Sequence, residues 1–137
     1  MPTNTSMLRY VELKLSGHDS GPAWIGKVQL SRSGRTVYFN GKAFKRSKRV
    51  VKGNHYDIET GDSYWISGIK MNGEDRHWAG SGKIIIEASV VDEYLRIVDE
   101  KRLDPLKYVI SASIKPTDPS KFTELENRPW PDLAGKM

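Results

Sequence analysis

A chain of 137 residues with net charge +5 and no cysteine suits one domain with a single core and no disulfide staples. Thiolate chemistry and a cysteine-based zinc site are excluded by that composition. Mean hydropathy is negative, and no apolar run approaches the roughly 20 residues a membrane helix needs, so no membrane association is expected.

The start, MPTNTSMLRYVEL, has no charged segment leading into an apolar one, and the expected location is the cytoplasm. Charge is unevenly spread along the chain. Between Asp19 and Asp57 there is no acid, yet Lys27, Arg32, Arg35, Lys42, Lys45, Arg46, Lys48, Arg49 and Lys52 all fall in that window. From Asp57 to Asp104 acids outnumber bases. A molecule divided this way draws polyanions or acidic partners to one side.

In chain order the elements are mostly short strands. LRYVELKL sets Arg9, Val11, Leu13 and Leu15 against Leu8, Tyr10, Glu12 and Lys14, a half-buried strand with the first set inward. AWIGKVQLS follows, with Trp24, Gly26, Val28 and Leu30 on one face. Arg32-Ser33-Gly34 closes a hairpin into RTVYF. Asn40-Gly41 is a two-residue turn signal, because both central positions of a type I′ turn need positive φ. It leads into KAFKR.

NHYDIET alternates His55, Asp57 and Glu59 with Tyr56 and Ile58, which reads most simply as a solvated strand face. Thr60-Gly61 turns the chain into SYWISGIK, and Asn72-Gly73 supplies another hairpin. A two-residue loop there pairs Lys70 with Asp75, Gly68 with His77 and Ser67 with Trp78. Trp24, Trp65 and Trp78 then read as core residues. KIIIE is a further strand. A helix near 89–98 is predicted from a Ser89 cap, Asp92 in capping-box position, and a stripe of Val90, Val91, Tyr94, Leu95 and Val98. Lys101 and Arg102 suit its end, and Asp104-Pro105 stops it. KYVISASI is a last strand.

Residues 1–114 are therefore expected to form one mainly β, β-rich α+β domain. Its architecture is a small antiparallel barrel or half-barrel meander with one helix in the C-terminal half. Residues 115–137 hold four of the seven prolines. They read as a tail that docks through Phe122, Leu125 and Trp130 or stays flexible.

The run PAWIGKVQLSRSGRTVYFNGKAF, with GDSYWISGIKMNGEDRHWAGSGKI behind it, resembles a family of short bacterial proteins of unsettled function. The resemblance covers roughly Arg9 to Val98 and implies no established catalytic residues. Some members of that family carry the label of 1-deoxy-D-xylulose-5-phosphate synthase, a thiamine-dependent enzyme. Such enzymes resemble large transketolases with a Gly-Asp-Gly motif and a downstream Asn-Asn. The nearest trace here is Gly61-Asp62-Ser63, in a hairpin turn, so that label implies no cofactor for this chain.

Three readings of function follow from the residues. The first is a non-enzymatic binding module for single-stranded nucleic acid, another polyanion or an acidic protein. Phosphate contacts need long cationic side chains spaced along a surface, and Arg32, Arg35, Lys42, Lys45, Arg46, Lys48 and Arg49 supply them. Tyr38 and Phe44 are the candidate stacking rings. Against this stands the plainer view that the rings are core and the lysines only blunt an exposed edge.

The second reading is a small hydrolase or nuclease centred on His77 with Asp75 and His55, a histidine-carboxylate group suited to acid-base work. Simple alternation on a solvated strand is the plainer account of those residues. The third is an interaction role, with a homodimer formed through a sheet edge or the tail. No metal ligand set and no cofactor are expected.

Overall fold

In a computed structural model the described residues are 5–14, 21–47, 53–72 and 82–126. Tight turns set the order of the strands. β1 (Thr5–Leu13) and β2 (Ala23–Leu30) pair antiparallel over eight residues, from Thr5 opposite Leu30 to Glu12 opposite Ala23. Gly34, at φ +77°, turns β2 into β3 (Thr36–Phe39). Asn40 and Gly41 then take φ values of 53° and 75° and join β3 to β4 (Lys42–Arg46) with Phe39 opposite Lys42. That is the two-residue loop expected from the dipeptide, since an asparagine and a glycine tolerate the left-handed region that other residues resist. β5 (His55–Asp57) and β6 (Ser63–Ser67) continue the antiparallel run.

β6 returns to β1, with Tyr64 opposite Leu13 and Ser67 opposite Tyr10. The six strands thus close into an antiparallel barrel in the order β1-β6-β5-β4-β3-β2, and the fold is mainly β. Two strands extend it. β7 (Ile84–Glu87) adds to β2, and β8 (Tyr108–Ser111) adds to β7, both in parallel. A uniform antiparallel meander does not predict that pair. Its reason is the connection: a 3₁₀ turn (Ala88–Val90) and helix α1 (Val91–Val98) lie between β7 and β8, and a helical crossover brings the next strand back in the same direction.

The core lies in layers. Inside the barrel, Val11, Val28, Val37, Phe39, Phe44, Tyr64 and Ile66 fill the lumen. On the outside of β1, β2 and β7, Leu8, Tyr10, Ala23, Ile25, Ile84 and Ile86 meet Val90 and Tyr94 beside α1. β1 is therefore buried on both faces, not the half-buried strand its alternation suggests. Leu8 and Tyr10 turn out of the lumen into the layer shared with α1. Glu12 is buried on the same outer face, held by the Tyr10 hydroxyl at 2.6 Å and the Lys14 ammonium at 3.2 Å.

The helical stripe packs as its spacing predicts, with Val90 and Tyr94 buried. The expected cap does not form. Ser89 donates to the Glu87 carboxylate at 3.1 Å, and Val90 occupies the N-cap without a side-chain hydrogen bond. Asp99, at φ 58°, ends the helix in the left-handed conformation, five residues before the Asp104-Pro105 pair.

Beyond β8 the chain crosses to the β3–β4 hairpin, where the Lys115 N–H donates to Asn40 Oδ1 at 3.2 Å. A 3₁₀ turn (Pro119–Phe122), capped by Asp118, leads into α2 (Thr123–Glu126). This segment sets Phe122, fully buried, on Tyr38 and Ala43 at the outer face of β3 and β4, with Ile58 and Leu125 alongside. Burying one such ring contributes roughly 2–3 kcal/mol.

β2 carries the whole assembly. One of its edges pairs with β1 throughout, while the other meets β7 at Ala23–Ile25 and β3 at Gln29 and Leu30. At the fork, the Lys27 N–H donates to the Glu87 carboxylate at 3.0 Å. Gly26 is needed beside it, because a Cβ there would lie 2.7 Å from the Phe39 ring and 2.8 Å from Glu87 Oε1.

Candidate functional site

The β2–β3 hairpin is built to hold its shape. The Ser31 N–H donates to the Thr36 carbonyl at 2.9 Å, and the Ser31 hydroxyl accepts from the Thr36 N–H at 3.1 Å. The Gly34 N–H closes the turn on the Ser31 carbonyl at 2.9 Å, and the Arg35 N–H donates to the Ser33 hydroxyl at 3.3 Å. Arg32 and Arg35 project from this loop and are exposed.

Strand register decides which cations meet them. Thr36 lies opposite Lys45, and Lys45 opposite Tyr56. Arg35 precedes Thr36 and Arg46 follows Lys45, so the two guanidinium-bearing residues stand side by side at the end of the barrel that the hairpin forms. Among the described residues, no ion pair involves Arg32, Arg35 or Arg46. Lys45 and Tyr56, both partly exposed, share the outer face with Thr36. Trp65 lies two residues beyond Ser63, which faces Tyr56, and successive side chains alternate. It is therefore on that outer face too, 40% exposed. Trp65 is thus not a core residue, contrary to the expectation from its strand-interior position. Its neighbours Tyr64 and Ile66 take the lumen positions instead.

Lys42 belongs elsewhere. It sits at the opposite end of β4, where its ammonium reaches Asp57 Oδ2 at 3.3 Å. The other oxygen of that carboxylate accepts from the Glu59 N–H at 2.8 Å and the Thr60 N–H at 3.4 Å, holding the turn toward β6. Asp57, Glu59 and Asp62 all gather at this end.

The two rings proposed for stacking are not open. Phe44 is a lumen residue, 4.6 Å from the Tyr64 ring centroid, and Tyr38 lies beneath Phe122. Both are buried because every strand of a small closed barrel has one face in the lumen, and the other face of β3 and β4 is covered by the C-terminal segment. On the outer face of β5 and β6, Tyr56 is partly exposed and Trp65 exposed. The signal that could have separated them in sequence is parity: Tyr56 alternates with His55 and Asp57, which face inward.

His55 and Asp57 are buried in the lumen, not on a solvated face. Asn54 prepares the environment of His55. Its side-chain amide donates to the Ile66 carbonyl at 2.8 Å, and its Oδ1 accepts from the Ile66 N–H at 2.9 Å. These two contacts fix the amide orientation. His55 Nδ1, 2.8 Å from that same Oδ1, must therefore carry the proton and donate it. Burial, and then the Arg46 guanidinium, lower the His55 pKa to about 4, so the ring is neutral at pH 7 with Nε2 as its basic nitrogen. Tyr64 is pushed up to about 12 by burial, then by the charges of Asp57 and Asp62. A neutral imidazole bonded to Asn54 and a protonated phenol packed on Phe44 both belong to the core.

Asp75, His77, Trp78, Lys48 and Arg49 lie outside the described residues. Among the described residues no group of three or more histidine, aspartate or glutamate side chains is placed to hold a metal ion. No described helix is long and apolar enough to cross a membrane. An open cleft of about 230 Å³ lies between the end of α1 and the start of β8, with Tyr94 and Tyr108 joined by their hydroxyls at 2.7 Å in its wall. No protein family, curated protein or solved structure matches this chain.

Proposed function

We propose that the chain is a non-enzymatic small-barrel module that binds single-stranded nucleic acid at the β2–β3 hairpin end of the barrel, from Arg32, Arg35 and Arg46 at the rim across Lys45 and Tyr56 to Trp65 on β6. Arg32, Arg35, Lys45 and Arg46 contact phosphates, while Tyr56 and Trp65 offer ring faces to bases. The observation that carries this reading is the register that sets Arg35 beside Arg46 and Lys45 beside Tyr56. The carboxylates of Asp57, Glu59 and Asp62 lie at the other end, so a polyanion approaching the hairpin end is attracted without meeting them. Lys42 is excluded from the set, because Asp57 already neutralises it.

Four phosphate contacts give a salt slope near −2.8 for a single strand, so affinity falls about 50-fold between 50 and 200 mM salt. Fluorescence anisotropy with a labelled single-stranded RNA or DNA measures this. Replacing Arg32, Arg35, Lys45 and Arg46 by Glu abolishes the binding. No binding at 50 mM salt, or affinity unchanged in that variant, overturns the reading.

A further inference from the structure

Among the described residues, the exposed large apolar side chains other than Trp65 lie in or near one strand. Leu106 is 81% exposed, Val109 45% and Ile110 57%, all in or beside β8. Met71, 77% exposed, directly precedes Asn72, which lines the same cleft as Lys107 and Tyr108. β8 is the outermost strand of the sheet, bonded to β7 alone among the described strands. Edge strands of monomeric proteins are ordinarily protected by charge, proline or a covering element. From Tyr108 to Ile114 the sequence YVISASI carries no charge and no proline. Among the described strands none pairs with the outer edge of β8, and Val109 and Ile110 are exposed on its two faces.

We infer that β8 pairs with β8 of a second copy of this chain, antiparallel about a two-fold axis, to give a continuous sheet through two barrels. Backbone N–H and C=O groups point alternately to the two sides of a strand, so two-fold pairing sets each residue opposite one of equal parity. The axis then passes through Val109 or through Ile110, and a β-branched residue faces its own counterpart, a favourable cross-strand pair. Charge allows this arrangement. Lys107 falls opposite Ser111 or Ser113, and the two copies of Lys107 stand about 14 to 20 Å apart at 3.4 Å per residue, beyond the screening length of about 8 Å at physiological ionic strength. No like charges are opposed along the strand. Leu106 and Met71 flank it and extend the apolar contact, which a four-residue ladder alone would leave too small for a stable dimer.

Two measurements test the pairing. Sedimentation equilibrium of the full chain is expected to show twice the monomer mass, and Val109→Lys or Ile110→Lys is expected to return it to the monomer mass with an unchanged circular dichroism spectrum. Because the chain has no cysteine, a single introduced thiol reports position. Facing Cα atoms of paired strands lie within disulfide range, so V109C or I110C cross-links two chains on mild oxidation, whereas K121C on the C-terminal segment does not. A monomer mass at every concentration, or a dimer that survives both lysine substitutions, overturns the proposal. The outcome is independent of nucleic-acid binding, which uses Arg32, Arg35, Lys45, Arg46, Tyr56 and Trp65 and no residue of β8.

Discussion

Lys42 and Asp57 form a 3.3 Å ion pair across β4 and β5, and the second oxygen of the same carboxylate holds the N–H of Glu59. Asp57 is fully buried while the lysine side chain is 37% exposed. The carboxylate is therefore the partner whose environment the fold must satisfy.

Removing it separates the two roles. Asp57→Ala loses both the pair and the turn acceptor and is expected to destabilise the barrel by about 2–4 kcal/mol. Asp57→Asn keeps an oxygen for Glu59 and loses only the charge, and a smaller loss of about 1–2 kcal/mol is expected. Urea unfolding followed by tryptophan fluorescence measures both. Equal losses in the two variants would show that the turn bond contributes nothing.

His55 makes stability depend on pH. Its pKa is lowered to about 4 in the folded chain, against about 6.5 when unfolded. Between those values the unfolded chain binds more protons than the folded one. The stabilisation is complete above pH 6.5 and is lost as pH falls toward 4, by at most about 3 kcal/mol. The difference between wild type and His55→Gln, taken at pH 7 and again at pH 4.5, isolates this from the carboxylates. Parallel pH profiles for the two proteins would contradict it.

Gly53 is a steric requirement. A Cβ at that position would collide with backbone atoms of Tyr64, and Asn54 is bonded to the same carbonyl at 2.9 Å. Backbone cannot swing aside as a side chain can, so Gly53→Ala is expected to cost about 2 kcal/mol or more. Gly82→Ala meets nothing within 4 Å and serves as the comparison, with little change expected. The urea midpoints of the two variants decide the matter.

For nucleic-acid binding, Tyr56→Ala and Trp65→Ala are each expected to weaken affinity by about 1–3 kcal/mol, the range for one base stacked on one ring. Trp65 fluorescence should fall on titration with a single strand. Tyr38→Phe, beneath Phe122, should leave affinity unchanged. Anisotropy titrations of the three variants at 50 mM salt separate these outcomes.

Turns were the most legible part of the sequence, since a dipeptide such as Asn40-Gly41 has a local conformational reason to bend and takes the φ values that reason demands. Faces were less legible. Alternation in β1 and β5 says that two faces differ, but not that both are covered. Tyr10 and Glu12 are buried because α1 and its neighbours lie outside β1, and His55 and Asp57 because the barrel closes around them. Both facts depend on contacts far away in sequence. The same distance hid Phe122, whose docking on Tyr38 removes a ring that composition alone offered as a ligand platform. The parallel addition of β7 was hidden in KIIIE, where a short apolar run does not reveal its partner or direction.

The branching of β2 has a consequence for how the molecule comes apart. The six-strand circuit needs β2 only for its bonds to β1 and β3, whereas the strand ladder that joins β7, β8 and α1 to it is confined to Ala23–Ile25 and is backed by the side-chain layer of Leu8, Tyr10, Ile84, Ile86 and Tyr94. The extension can peel away as a unit and leave the circuit intact, with Glu87 releasing the Lys27 amide as the hinge opens. Amide exchange should then sort into two tiers: β7 and β8 protected only by partial opening, and the circuit strands by global unfolding.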